Sequence, residues 1–185
     1  MPPKPKVSKE DILCGAMDIV REGGETALTA KALAEKLHCS TQPVFWHYVS
    51  MEELRREVFD RALSVFGENL RRQRACVSKY MAIGLNYIRF ATEERGLFKL
   101  LFMSDFGKTD IIGADVEMEY ILDVMAESEN IKGEEAKKIY REMWIFSHGI
   151  ATMIATGAAQ FSEKEISSML GDVFRGLVKN LKEKE

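Results

Sequence analysis

The sequence predicts an all-α protein with two helical parts, a small N-terminal domain and a larger C-terminal one. Two observations carry this. Apolar residues recur every three to four positions along successive segments, the spacing of one helix face. The segments are punctuated by helix signals: Ser8, Thr29, Ser40 and Ser50 stand ahead of periodic stretches, and polar or Gly breaks fall near residues 104–113 and 128–133. A chain of 185 residues is long enough for a small domain plus a larger one, each with its own core.

Residues 1–7 are rich in Pro and Lys, and no apolar stretch follows them, so they do not read as a signal peptide. They read as a mobile basic arm that reaches a phosphate or minor groove, or as simple disorder. Ser8 caps the first helix, which turns Ile12, Leu13, Ala16, Met17, Ile19 and Val20 to a core. Thr29 caps a second helix bearing Ala30, Leu33, Ala34 and Leu37. This helix must stop near His38, because Ser40 offers the next cap and Pro43 suits only a first helical turn. Ser50-x-x-Glu53 is a capping box that opens another helix at Met51. Between Ser40 and Ser50 there is room for about two turns. So short a helix must be held by its neighbours.

Val44 and Tyr48, four apart, share the face of that short helix which packs on Leu33 and Leu37. Thr41, Gln42, Pro43, Phe45, Trp46 and His47 then point outward. Outward aromatics beside Gln and Thr suit a binding face. Together with the preceding helix they make a helix-turn-helix whose second helix fits the DNA major groove. There Gln42 pairs with an adenine edge, while Pro43 and Trp46 meet thymine methyls and sugars. Thr29, Thr41 and His47 reach phosphates, helped by two helix N-termini, with Lys31 and Ser40 on the same surface. The competing reading makes Phe45, Trp46 and Tyr48 all core, in a buried helical corner.

Residues 8–60 resemble the DNA-binding domain of the TetR family of transcriptional repressors. The likeness runs from the first helix, Ile12 to Glu22, through the Gly23-Gly24 break and Ala27-Leu28-Thr29 to Leu33-Ala34-x-x-Leu37. It continues through Ser40, the run Phe45 to Tyr48, and Ser50-x-Glu52-x-Leu54. The chain departs from the family pattern at three positions. His38 stands where Gly is usual and must adopt a left-handed backbone at greater cost. Phe45 replaces a Tyr that would bring a phosphate-binding hydroxyl, and Met51 replaces a Lys. The last two losses weaken DNA binding and flatten its salt dependence.

The helix from Met51 carries Leu54, Val58, Ala62 and Val65 and runs to about Asn69. Its Arg55, Arg56 and Arg61, with Arg71, Arg72 and Arg74 beyond, fit a solvated face better than a DNA contact. In the TetR family this helix joins the domains and its tilt carries the regulatory signal. The chain thus divides into the arm 1–7, a helix-turn-helix domain 8–54, a connecting helix and linker 51–74, and a helical domain 75–185.

In the last part, helices are expected at about 76–94, 96–103, 112–128, 134–159 and 163–182. The final two are expected to build a dimer through Ile150, Ile154, Ala158, Ile166, Leu170, Val173 and Leu177, with small residues from Gly149 to Ala159 allowing close approach. Residues 143–162 carry no formal charge, but their Gly, Ser, Thr, His and Gln content speaks against a membrane span. Trp144-x-x-x-His148-Gly149 resembles a signature of one group of TetR C-terminal domains. The side chains available to line a pocket for a largely apolar effector are Met81, Phe98, Phe102, Met103, Met125, Trp144 and His148. Each is equally well read as core, and His148 better so.

Charge is a poor guide: residues 1–74 hold 12 basic against 11 acidic residues, and 75–185 hold 14 against 18. That is weak polarity for a DNA binder. Cys14, Cys39 and Cys76 fit reduced thiols in a cytoplasmic protein, the first two as small core residues. Gly107-Lys108-Thr109 looks like the end of a phosphate loop, but Phe102 occupies the position of the required first glycine. No hydrolase or metal spacing occurs, so neither an enzyme nor a cofactor is expected. The expected function is a homodimeric, ligand-responsive repressor of palindromic operator DNA. Its rival is a TetR-like co-regulator or adaptor that works through protein contacts.

Overall fold

The computed structural model describes residues 7–75, 77–105 and 117–183, and within them only helices and connecting turns occur. The arm at residues 1–6, Cys76, the Gly107-Lys108-Thr109 fragment and the expected helical residues 112–116 lie outside the described residues. The helices are α1 (Lys9–Gly23), α2 (Ala30–Lys36), α3 (Gln42–His47), α4 (Met51–Leu70), α5 (Lys79–Glu93), α6 (Arg95–Met103), α7 (Met118–Glu129), α8 (Gly133–Thr156) and α9 (Glu163–Lys182), with a 3-10 turn at Glu25–Ala27.

Local chemistry sets the helix starts. Ser8 Oγ accepts from the Asp11 N–H while the Asp11 carboxylate takes the Ser8 N–H, closing a capping box. The Ser8 contacts hold the Asp11 carboxyl below the usual carboxylate range. Ser162 and Glu165 repeat the device at α9. Thr29 Oγ1 accepts from the Ala32 N–H at 3.1 Å, capping α2. At α4 the Ser50 hydroxyl accepts from the Glu53 N–H, but the Glu53 carboxylate reaches back to the Val49 N–H rather than to that of Ser50. His38 has φ 51°, so the left-handed backbone expected at the turn is present on a non-glycine residue. The start of α3 differs from expectation: Thr41 rather than Ser40 is its N-cap, and Thr41 makes no side-chain capping bond.

The described chain forms two compact units, one of residues 7–65 with 94–105, the other of 66–93 with 117–183. In the first, α1 is central, with Ile12, Ala16 and Val20 fully buried. It packs on α2, α3 and α6. The division departs from the expected boundary, because α6 belongs here rather than with the C-terminal helices. The physical reason is Gly96: a Cβ there would stand 2.1 Å from the Val20 carbonyl oxygen and 2.6 Å from that of Arg21. Only a residue without a side chain lets α6 come this close to the α1 backbone. Arg21 Nε adds an ion pair to Glu94 at 2.9 Å.

In the second unit α5 lies against α7, α8 and α9, with Ile88, Phe90 and Ala91 fully buried. The end of α4 is tied to α5 in two ways. Phe66 meets Tyr87 and Phe90 edge-on at 5.4 and 5.2 Å. Buried Asn86 donates its amide to the carbonyls of Leu70 and Arg72, at 3.3 and 2.7 Å, satisfying acceptors that the end of α4 leaves over.

Cys14 is not a core residue. It is exposed, because it sits off the α1 face formed by Ile12, Ala16 and Val20, and its Sγ instead lies 3.6 Å from Glu10 Oε1. Cys39 is half-buried.

Candidate nucleic-acid interface and cavity

Val44 in α3 and Tyr48 at its C-cap are buried, as their spacing predicts. Lys9 holds its ammonium 5.0 Å from the Tyr48 ring centre. Burial, and secondarily the negative charge of Glu57, pushes the Tyr48 phenol well up from its usual value. Pinned by these two side chains, α3 presents the rest of its surface outward. Trp46 is 64% exposed and Phe45 49%, so neither belongs to a buried corner. Thr41, Gln42 and His47 are exposed and Pro43 is half-buried. His47 Nε2 lies 3.3 Å from the Val7 carbonyl oxygen. Thr29, Lys31 and Ser40 are exposed too, and Lys31 makes only a loose 4.0 Å pair with Glu35. Sequence reasoning missed Val49, which is 93% exposed just past α3. The signal available for it was its place one residue beyond buried Tyr48, outside the helical period. The arginines of α4 divide: Arg56 pairs with Glu52 and Arg61 with Glu10, while half-buried Arg55 donates to the Leu28 carbonyl at 2.9 Å and braces the loop before Thr29.

A cavity of about 570 Å³ of atom-free space, its open mouth included, lies within the second unit. It is walled by α5, α7, α8 and α9. Met81 and Trp144, both expected at a pocket, line it. Tyr80, Ile83, Gly84 and Tyr87 of α5, Tyr140, Met143 and Ser147 of α8, and Leu170 and Phe174 of α9 were not foreseen. Other pocket candidates lie elsewhere. Phe98, Phe102 and Met103 are on α6 in the first unit, buried, half-buried and exposed in turn. Met125 is fully buried core.

His148 stands behind the wall. Its Nδ1 is 2.9 Å from the Tyr87 hydroxyl, and its ring stacks on Trp144 at 4.7 Å with planes 6° apart. Burial pushes the His148 pKa below its usual value, favouring the neutral ring. The hydrogen-bonded core role therefore describes this histidine better than direct pocket lining. Burial, with a smaller push from the charge of Glu129, raises the pKa of Tyr80.

Of the expected dimer stripe, Ile150, Ile166 and Leu170 are buried within their own unit, Leu170 against Gly84. Ile154, Val173 and Leu177 are half-buried and Ala158 is exposed. The more apolar stripe of each helix faces inward, and the outward face of α8 carries Ile145, Gly149 and Met153. Ile145 is 53% exposed, and nothing among the described residues comes within 4 Å of a Cβ placed at Gly149 on α8 or Gly176 on α9.

Among the described residues no helix is long and apolar enough to cross a membrane, and no cluster of His, Cys, Asp and Glu could hold a metal ion.

Comparison with known proteins follows the same line. Residues 80–178 match the family model described as tetracyclin repressor-like, C-terminal domain. No curated protein matches the chain. Among solved structures, a TetR-like transcriptional regulator from Rhodococcus sp. RHA1 superposes with a TM-score of 0.69 at 18% identity, covering 95% of this chain and 99% of its own. A TetR family member from Streptomyces coelicolor A3 gives 0.62 at 13% identity, covering 89% and 96%. A TetR point variant from Acinetobacter baumannii AYE, solved in complex with minocycline, gives 0.59 at 14% identity, covering 96% and 98%. At these identities the likeness is one of fold.

Proposed function

The chain belongs to the TetR family of transcriptional regulators, and from that premise we propose that it is a cytoplasmic, non-enzymatic, homodimeric repressor released from its operator by a small-molecule effector. The observation that carries the DNA-binding half is the outward face of α3. Phe45, Trp46 and Val49 stand in solvent beside Gln42, Thr41 and His47, on a helix too short to survive without the buried anchors Val44 and Tyr48. Exposed rings are costly to a free surface and useful in a major groove, where they meet thymine methyls while Gln42 reads adenine. Thr29, Lys31, Ser40 and His47 supply phosphate contacts that set the register.

Dimerisation uses the outward faces of α8 and α9. A glycine inside a helix costs about 1 kcal/mol relative to alanine. Gly149 and Gly176 have no neighbour among the described residues to require that cost, and a partner helix in close approach does. The effector occupies the cavity against α5. Phe66 and Asn86 tie the end of α4 to α5, and α4 continues into the unit that bears α3. An effector that shifts α5 thereby biases the setting of the recognition helices. The coupling is reciprocal, so operator DNA weakens effector binding by the same factor.

Selection of bound duplexes from a random DNA library tests this reading. The expected outcome is an inverted repeat with half-sites about one helical turn or more apart, bound with a log–log salt slope of several phosphates. Weak binding that enriches no repeat and vanishes near physiological salt would remove the repressor reading and leave the co-regulator.

A further inference from the structure

Among the described residues, the lining of the cavity in the second unit contains hydroxyl groups and no Lys, Arg, Asp, Glu or His. Glu129, whose charge acts on Tyr80, is not part of the lining. A ligand carrying a formal charge would lose its hydration there and meet no counterion. The lining does hold Ser147 and Tyr80, each more than nine-tenths buried, and no group among the described residues hydrogen-bonds either hydroxyl. Neither oxygen is fully occluded, so both can open onto the cavity, and a ligand that completes their hydrogen bonds gains more than one that merely fills space. The lining holds three more hydroxyls: that of Tyr87 lies 2.9 Å from His148 Nδ1, that of Ser78 accepts from the Met81 N–H, and the third is that of Tyr140.

We infer that the cavity takes a neutral, largely apolar ligand bearing a hydroxyl or carbonyl group, and that Ser147 and Tyr80 are the side chains that read this group. The inference rests on the ligand-binding reading of this unit, but it concerns binding rather than release from DNA. The two therefore fail separately.

Calorimetric titration of the full chain with four probes on one ring system supplies the test: naphthol, naphthalene, naphthoate and naphthylmethylammonium. Naphthol should bind tightest, by roughly 3- to 10-fold over naphthalene, the worth of one hydrogen bond, and by more over both ions. Ser147→Ala and Tyr80→Phe should each shrink the naphthol advantage while leaving naphthalene unchanged. Ser147→Ala should also leave the melting temperature of the unliganded protein level or higher, the opposite of what loss of a structural hydrogen bond would do. Gly84→Val, which fills the space beside Leu170, should abolish binding of all probes if the site is this cavity. Tighter binding of either ion, an unchanged naphthol advantage in both hydroxyl variants, or no binding of any probe overturns the inference. Binding as described, with no effect on operator affinity, would leave it standing and overturn only the effector-release reading.

Discussion

One apolar concentration of this protein is turned out to solvent and the other is turned in on itself, and the contrast explains much of its design. On α3, aromatic side chains stand outward from a helix of six residues that is pinned from beneath by Val44 and Tyr48. Around α5, aromatic and methionine side chains turn inward from several helices to enclose a cavity. The first surface is made by one short segment and depends on being held. The second is made by elements far apart in the chain and depends on their mutual spacing.

The largest effect is expected where spacing is tightest. Gly96→Ala places a methyl group onto the α1 backbone, so urea unfolding should show a loss of about 3 kcal/mol, the upper end of overpacking costs. A loss below about 1 kcal/mol would mean that α6 can move off α1 freely. The opposite glycine sharpens the point: Gly149→Ala should cost the isolated fold nothing and weaken self-association in sedimentation, because its Cβ meets open space.

Next comes the tie between α4 and α5. Asn86→Ala strands the buried carbonyl of Leu70 and removes the partner of the part-buried carbonyl of Arg72, and stability should fall by about 1–3 kcal/mol. In the repressor reading this variant also loosens the effect of a cavity ligand on operator affinity. Retained coupling would place the signal path elsewhere.

The smallest effect is electrostatic. Burial lowers the folded-state pKa of His148 from 6.5, so the unfolded chain binds the proton more readily. The stability that His148 contributes is present above the unfolded pKa and is lost as pH falls through 6.5 toward the folded value. The difference in stability between the wild type and His148→Gln should therefore narrow on acidification across that window. A pH-independent difference would contradict a neutral, buried His148.

The same contrast marks what the sequence could disclose. The outward face of α3 was legible because two buried residues four apart orient a whole two-turn helix. The caps at Ser8 and Thr29 were legible because they act within three residues. The place of α6 was not, because it depends on a backbone contact between Gly96 and Val20, far apart in the chain. The cavity was legible only in Met81 and Trp144. Its remaining wall comes from where α5, α7, α8 and α9 meet, which no single helical period encodes. The dimer stripe is a related case: periodicity marks the apolar stripe of α8 and α9 but does not say how much of it meets the helix's own chain.

The measurement closest to the central claim is titration of the selected duplex with wild type and Trp46→Ala, with the assembly state followed by sedimentation. Trp46 is largely in solvent, so its truncation should leave the fold and the assembly state unchanged. A loss of duplex affinity of about 10- to 100-fold, the scale of one specific base contact, is expected. Full affinity at an unchanged assembly state would take α3 out of the DNA interface and contradict its role as the recognition helix.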